Sequence, residues 1–169
     1  MAMSSTEAQS EIEFLNAQAV ELDPIDMAVR LINKGLSQDV VTHLIKLCDH
    51  VKIIAGKVIQ IGKIVLMKIW EFIQANPDLT IGIAVGAALC ALTHMVPWIG
   101  PKITPIVTAL GAAFGAVAGY RLDKKGQGKV FDSGVFGIAA DIITLAKKFL
   151  KLFSSILIAV TEYVMGTNS

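Results

Sequence analysis

Two apolar stretches, Leu79 to Pro101 and Ile103 to Tyr120, follow one another with no acid in either, hinged at Pro97-Trp98-Ile99-Gly100-Pro101-Lys102. A helix rises ~1.5 Å per residue and the hydrocarbon core is ~30 Å thick, so each arm is about long enough to cross a bilayer. The expectation is a transmembrane helical hairpin spanning residues 77–121. Trp98 at the tip and Tyr120 at the exit stand where interfacial aromatics stand, as does Trp70 before the first arm. Arg121, Lys124 and Lys125 follow at once, while the tip carries only Lys102. Positive charge gathers on the cytoplasmic side of membrane proteins. A spanning hairpin therefore leaves both termini cytoplasmic, and a re-entrant hairpin bent by its prolines is the alternative.

The glycines of the arms form lines. Gly82 and Gly86 are four apart in the first, and Gly111, Gly115 and Gly119 repeat that step in the second. Each glycine inside a water-soluble helix costs about 0.8 to 1 kcal/mol relative to alanine. In lipid the same spacing makes a smooth face on which another helix can pack closely. These five are the expected helix-packing residues, within the chain or between copies, and a homo-oligomer is the expected assembly.

Charge is scarce and unevenly placed. Only 17% of the 169 residues are charged and 54% are hydrophobic, where soluble domains carry about 25% charge. Residues 1–26 hold six acids and no base, which leaves eight acids against the chain's 15 bases. An acidic arm over residues 1–23, read as a weak helix or a disordered segment, would be free to recruit a protein partner. The basic remainder suits an anionic lipid surface.

Residues 24–75 read as a short helix followed by a long amphipathic one. Asp23-Pro24 supplies an N-cap and a proline for the first turn, and Gly35 stops the helix. Ser37 caps a segment from Gln38 to Ala75 whose apolar residues recur at steps of three and four. Lys46, Lys57 and Lys68 are eleven apart, and Lys52 and Lys63 repeat the interval. Eleven residues make almost three turns, so these lysines are expected to form two rails for attachment to the membrane surface. An amphipathic helix packed in a soluble bundle fits the same pattern equally well. Asn76-Pro77-Asp78 breaks the chain before the hairpin.

After a basic turn over 122–132, residues 133–169 form a last amphipathic helix. Lys147, Lys148 and Lys151 lie on its polar side and membrane-surface duty is expected of them, with Phe149, Leu152 and Phe153 on its apolar side. The expected fold class is all-α, because alternating period-two segments long enough to make a sheet are absent.

Chemistry is absent from the pattern. His43, His50 and His94 stand at no metal or catalytic spacing, and Cys48 and Cys90 make no CxxC pair. Asp49 and His50 are adjacent and point apart on a helix. No phosphate-binding loop or nucleophile elbow occurs, and lysines without interleaved aromatics do not suit nucleic acid. No enzyme, cofactor or metal site is expected. The first ten residues lack the basic and apolar regions of a secretory signal.

The layout of a hydrophobic hairpin among amphipathic helices is similar to that of pore-forming bacteriocin domains and of other hairpin membrane proteins. The resemblance lies in arrangement and includes no diagnostic motif. It favours a pore, and the basic helices, apolar hairpin and glycine faces together give the expectation of a non-enzymatic, self-associating protein that inserts into a bilayer and permeabilises or remodels it. Two alternatives remain. One is a constitutive membrane anchor or curvature scaffold, and the other is a soluble helical bundle with the hairpin buried in its core.

Overall fold

The computed structural model describes residues 4–96, 99–110 and 140–168. These residues are mostly helical, in keeping with the all-α expectation. The helices are α1 (Ser5–Ala19), α2 (Pro24–Asn33), α3 (Gln38–Lys46), α4 (Ile61–Ala75), α5 (Ile81–Met95), α6 (residues 100–110), α7 (Ala140–Phe149) and α8 (Lys151–Asn168). Between α3 and α4 the chain makes a 3-10 turn (Leu47–Asp49) and a two-stranded antiparallel hairpin of β1 (Lys52–Ile54) and β2 (Lys57–Ile59).

Local sequence explains the helix boundaries. The side-chain oxygens of Ser4, Asp23, Ser37 and Thr80 accept from the backbone N–H groups of Glu7, Ile25, Val40 and Ile83, satisfying donors that a helix start leaves open. Pro24 occupies the first turn of α2. At its other end Gly35 adopts φ 106°, and the Leu36 N–H reaches back to the Leu31 carbonyl at 3.1 Å. That is the left-handed helix stop which glycine permits at no steric cost.

The long amphipathic helix expected over Gln38 to Ala75 is divided. α3 ends at Lys46, and a hairpin follows in which Ile53 pairs with Val58 and Ile54 with Lys57. Its two-residue loop, Ala55 and Gly56, has φ of 54° and 78°, the positive pair that matches the twist of two short strands. The stretch from Val51 to Ile61 is rich in β-branched residues, which favour pleated backbone. The lysine rails therefore do not exist as one face: Lys46 ends α3, Lys52 and Lys57 lie on the two strands, and Lys63 and Lys68 belong to α4.

The acidic N-terminal segment is a helix docked on the body. Ala8, Ile12, Leu15 and Ala19, at steps of four, three and four, form its buried face, and α1 packs against α8, α4 and β2. The C-terminal amphipathic segment is broken at Leu150 between α7 and α8.

α4 and α5 form the centre. α4 buries Ile61, Gly62, Ile64, Val65, Leu66, Ile69, Phe72 and Ile73. In α5 every residue from Ala84 to Leu92 is buried, so no side of that segment reaches water. α4 and α7 both pack on α5. From α6 and the residue before it, Ile99, Ile103, Ile106, Val107, Ala109 and Leu110 join the same core. A helix that is apolar all round needs this kind of complete cover in water.

Candidate functional site

The feature that sets this molecule apart is the apolar α5–α6 pair and the elements that sheathe it. Ala84, Ala87, Ala88 and Ala91 keep α5 narrow, and Gly86 is buried among them. Small side chains let α4 and α7 approach a central helix closely. Gly82 is half-buried near the start of α5. Gly111, Gly115 and Gly119 lie outside the described residues, as do Trp98, Tyr120, Arg121, Lys124 and Lys125. Among the described residues, no helix is long and apolar enough to cross a membrane. α5 has 15 residues, about 22 Å of helix against a ~30 Å hydrocarbon core.

The cover is held by polar contacts at the β-hairpin. Lys57 donates to the Glu13 carboxylate in a close ion pair, which holds Glu13 below its ordinary range. One turn on, Asn16 holds both the strand and the residue that follows it. Its side-chain amide donates to the Val58 carbonyl at 3.3 Å, and its oxygen accepts from the Gln60 N–H at 2.7 Å. α1 is thereby tied to the hairpin that links α3 to α4. Neither residue stands out in the sequence, where Asn16 lies in a polar segment without a motif.

The start of α4 contains a closer contact. A Cβ on Gly62 would lie 1.4 Å from the Leu47 carbonyl oxygen, and the Gly62 N–H donates to the His50 carbonyl at 3.0 Å. Only glycine lets the 3-10 turn lie directly on α4. Beside this contact, burial holds the His50 imidazole below its ordinary value of 6.5, and the Lys102 charge adds to the effect.

The lysines expected at a membrane surface differ in their surroundings. Lys57 is paired with Glu13, and Lys68 with Glu71 at 3.2 Å. Lys46 is exposed, whereas Lys52 and Lys63 are half-buried. Lys148 and Lys151 are exposed on α7 and α8, and Lys147 is half-buried. Trp70 is half-buried with the Lys34 ammonium 5.8 Å from its ring centroid. This arrangement is a cation–π contact at the bundle surface.

His43 Nδ1 lies 2.8 Å from the Asp39 carbonyl one turn earlier, and His94 is exposed at the end of α5. Cys48 and Cys90 are free thiols, and burial pushes Cys48 up. Among the described residues no cluster of three His, Cys, Asp or Glu could hold a metal ion.

Comparison with known proteins finds no matching family model, no matching curated protein and no matching solved structure.

Proposed function

We propose that this protein is a non-enzymatic, self-associating membrane-inserting protein, folded here in a sheathed form that covers its apolar helices. The observation that supports the reading is α5, whose residues Ala84 to Leu92 are buried on every side. Its nine-residue core carries no charged side chain. The short length of α5 favours a re-entrant hairpin with α6 over two full crossings. Insertion exchanges protein cover for hydrocarbon, so the apolar side chains stay out of water throughout. Gly86 faces neighbours within the bundle, so a glycine face becomes available to a second copy only after α5 leaves its sheath.

A buried central helix also suits a bundle that never inserts, and the same structure gives that reading its support. Vesicle leakage separates the two. With vesicles of equimolar phosphatidylglycerol and phosphatidylcholine, the protein is expected to release trapped dye, resist a carbonate wash and give chemical crosslinks that are absent in water. Gly115→Leu is expected to remove the crosslinks while binding persists. A protein that stays in the supernatant, monomeric and without leakage, overturns the proposal in favour of the soluble bundle. Binding that bends vesicles without emptying them supports the scaffold alternative instead.

A further inference from the structure

Two outward apolar stripes at helical spacing run along the bundle, and the charge beside them differs. On α2, Ile25, Val29 and Ile32 are 76%, 50% and 45% exposed. Their neighbours include Asp23 and Asp26, and Arg30 is paired with Asp26 at 3.0 Å. On α7 and α8, Leu145, Phe149 and Leu152 are 42%, 40% and 62% exposed. Lys148 and Lys151 are exposed beside them, and α7 and α8 together carry three lysines against two acids, Asp141 and Glu162.

The second stripe continues across the break at Leu150. The Leu150 N–H donates to the Ala146 carbonyl at 2.9 Å and the Ser154 N–H to the Leu150 carbonyl at 2.8 Å, so helical spacing carries from one helix into the next. Lys148 and Lys151 make no ion pair with a described residue. Lysine stems beside exposed leucine and phenylalanine form the surface of an interfacial helix, with apolar groups below the headgroups and ammonium groups among them. The helical period groups Phe149 and Leu152 with the core residue Phe153 on the apolar side; the structure turns the two outward while Phe153 stays buried.

We propose that the outer face of α7 and α8, formed by Leu145, Phe149, Leu152, Lys148 and Lys151, is the docking surface for an anionic lipid bilayer. The inference rests on the membrane-inserting reading and specifies where contact begins. The other side of this cover, through Ile143, Ala146 and Leu150, is buried, and α7 packs on α5. Phe149 joins the two sides, with its ring edge-to-face on Phe72 of α4 at 5.4 Å. A bilayer that draws Leu145, Phe149 and Leu152 into its interface therefore pulls on the element that sheathes α5. Charge favours this face over the α2 stripe, where Asp23 and Asp26 offset Arg30 and Lys34 and leave no net attraction for anionic headgroups.

The test uses the full chain with vesicles of phosphatidylcholine alone and of phosphatidylcholine with equimolar phosphatidylglycerol. Lys148→Gln/Lys151→Gln is expected to weaken binding to the anionic vesicles roughly thirtyfold, at a few-fold for each lysine, with little change on the neutral ones. Leu152→Trp should be quenched by brominated lipid, and Ile32→Trp should not. Both positions are exposed, and unchanged circular dichroism melts establish that the variants fold. If the wild type binds and releases dye while the lysine variant binds equally well, the docking face is wrong and the insertion reading survives. Quenching at Ile32 without quenching at Leu152 overturns the docking face in the same way. If the wild type binds neither vesicle, both inferences fall together.

Discussion

A methyl group at Gly62 would lie 1.4 Å from the Leu47 carbonyl oxygen, against backbone that cannot rotate aside. Alanine ordinarily improves a helix by about 1 kcal/mol over glycine. Here the collision outweighs that gain, and Gly62→Ala is expected to destabilise the fold by about 3 kcal/mol, the upper range for overpacking. A lower urea midpoint with an unchanged slope would show it, and a neutral or stabilised variant would contradict the contact. His50 gives a second prediction at this scale. Its folded-state pKa lies below 6.5 through burial first and the Lys102 charge second, so the unfolded chain takes up its proton first. Stability is therefore full above the unfolded value and falls as pH drops through about 6.5, with the loss complete below the folded value. Thermal melts between about pH 7.5 and about pH 5 should show this slope, and His50→Gln should flatten it. Glu13 adds a separate loss only at more acid pH, because the Lys57 hydrogen bond holds its carboxyl below 4.5.

At the scale of elements, Asn16 joins α1 to the hairpin through the Val58 carbonyl and the Gln60 N–H. Removing both bonds in Asn16→Ala is expected to cost about 1 to 2 kcal/mol, with faster amide exchange at Gln60 as the local sign. Exchange at Gln60 equal to the wild type would mean the clamp is not formed. The sequence left this junction hidden for physical reasons. Half of the buried stripe of α1 is alanine, Ala8 and Ala19, which reads as neutral, while the prominent Phe14 is 61% exposed. The hairpin was hidden because Ile54, Ile61, Val65, Ile69 and Phe72 still fall near a helical period when counted across the turn. Its loop is Ala55-Gly56, a weaker signal than Asn-Gly, and two three-residue strands leave too little alternation to count. By contrast, the Asp23-Pro24 start and the Gly35 stop of α2 were legible because each carries a local mechanism.

For the whole molecule, apolar length was legible and apolar surroundings were not. Leu79 to Pro101 has the composition of a helix that avoids water, but hydrocarbon and a protein core satisfy it alike. Only packing shows the sheath: α4 and α7 on α5, and α1 laid over α8, α4 and the hairpin. The lysine repeat misled for a related reason, since an interval of eleven has meaning only while one helix continues, and the hairpin interrupts it. Everything proposed for the membrane depends on α5 exchanging this sheath for a bilayer. Protease digestion of the full chain on vesicles of equimolar phosphatidylglycerol and phosphatidylcholine, followed by mass analysis of the peptides left in the washed membrane, reads that exchange without an intermediate. A fragment containing Ile81–Met95 is expected to remain in the membrane. Its release with the rest of the digest would show that α5 stays out of the bilayer and contradict the proposed insertion.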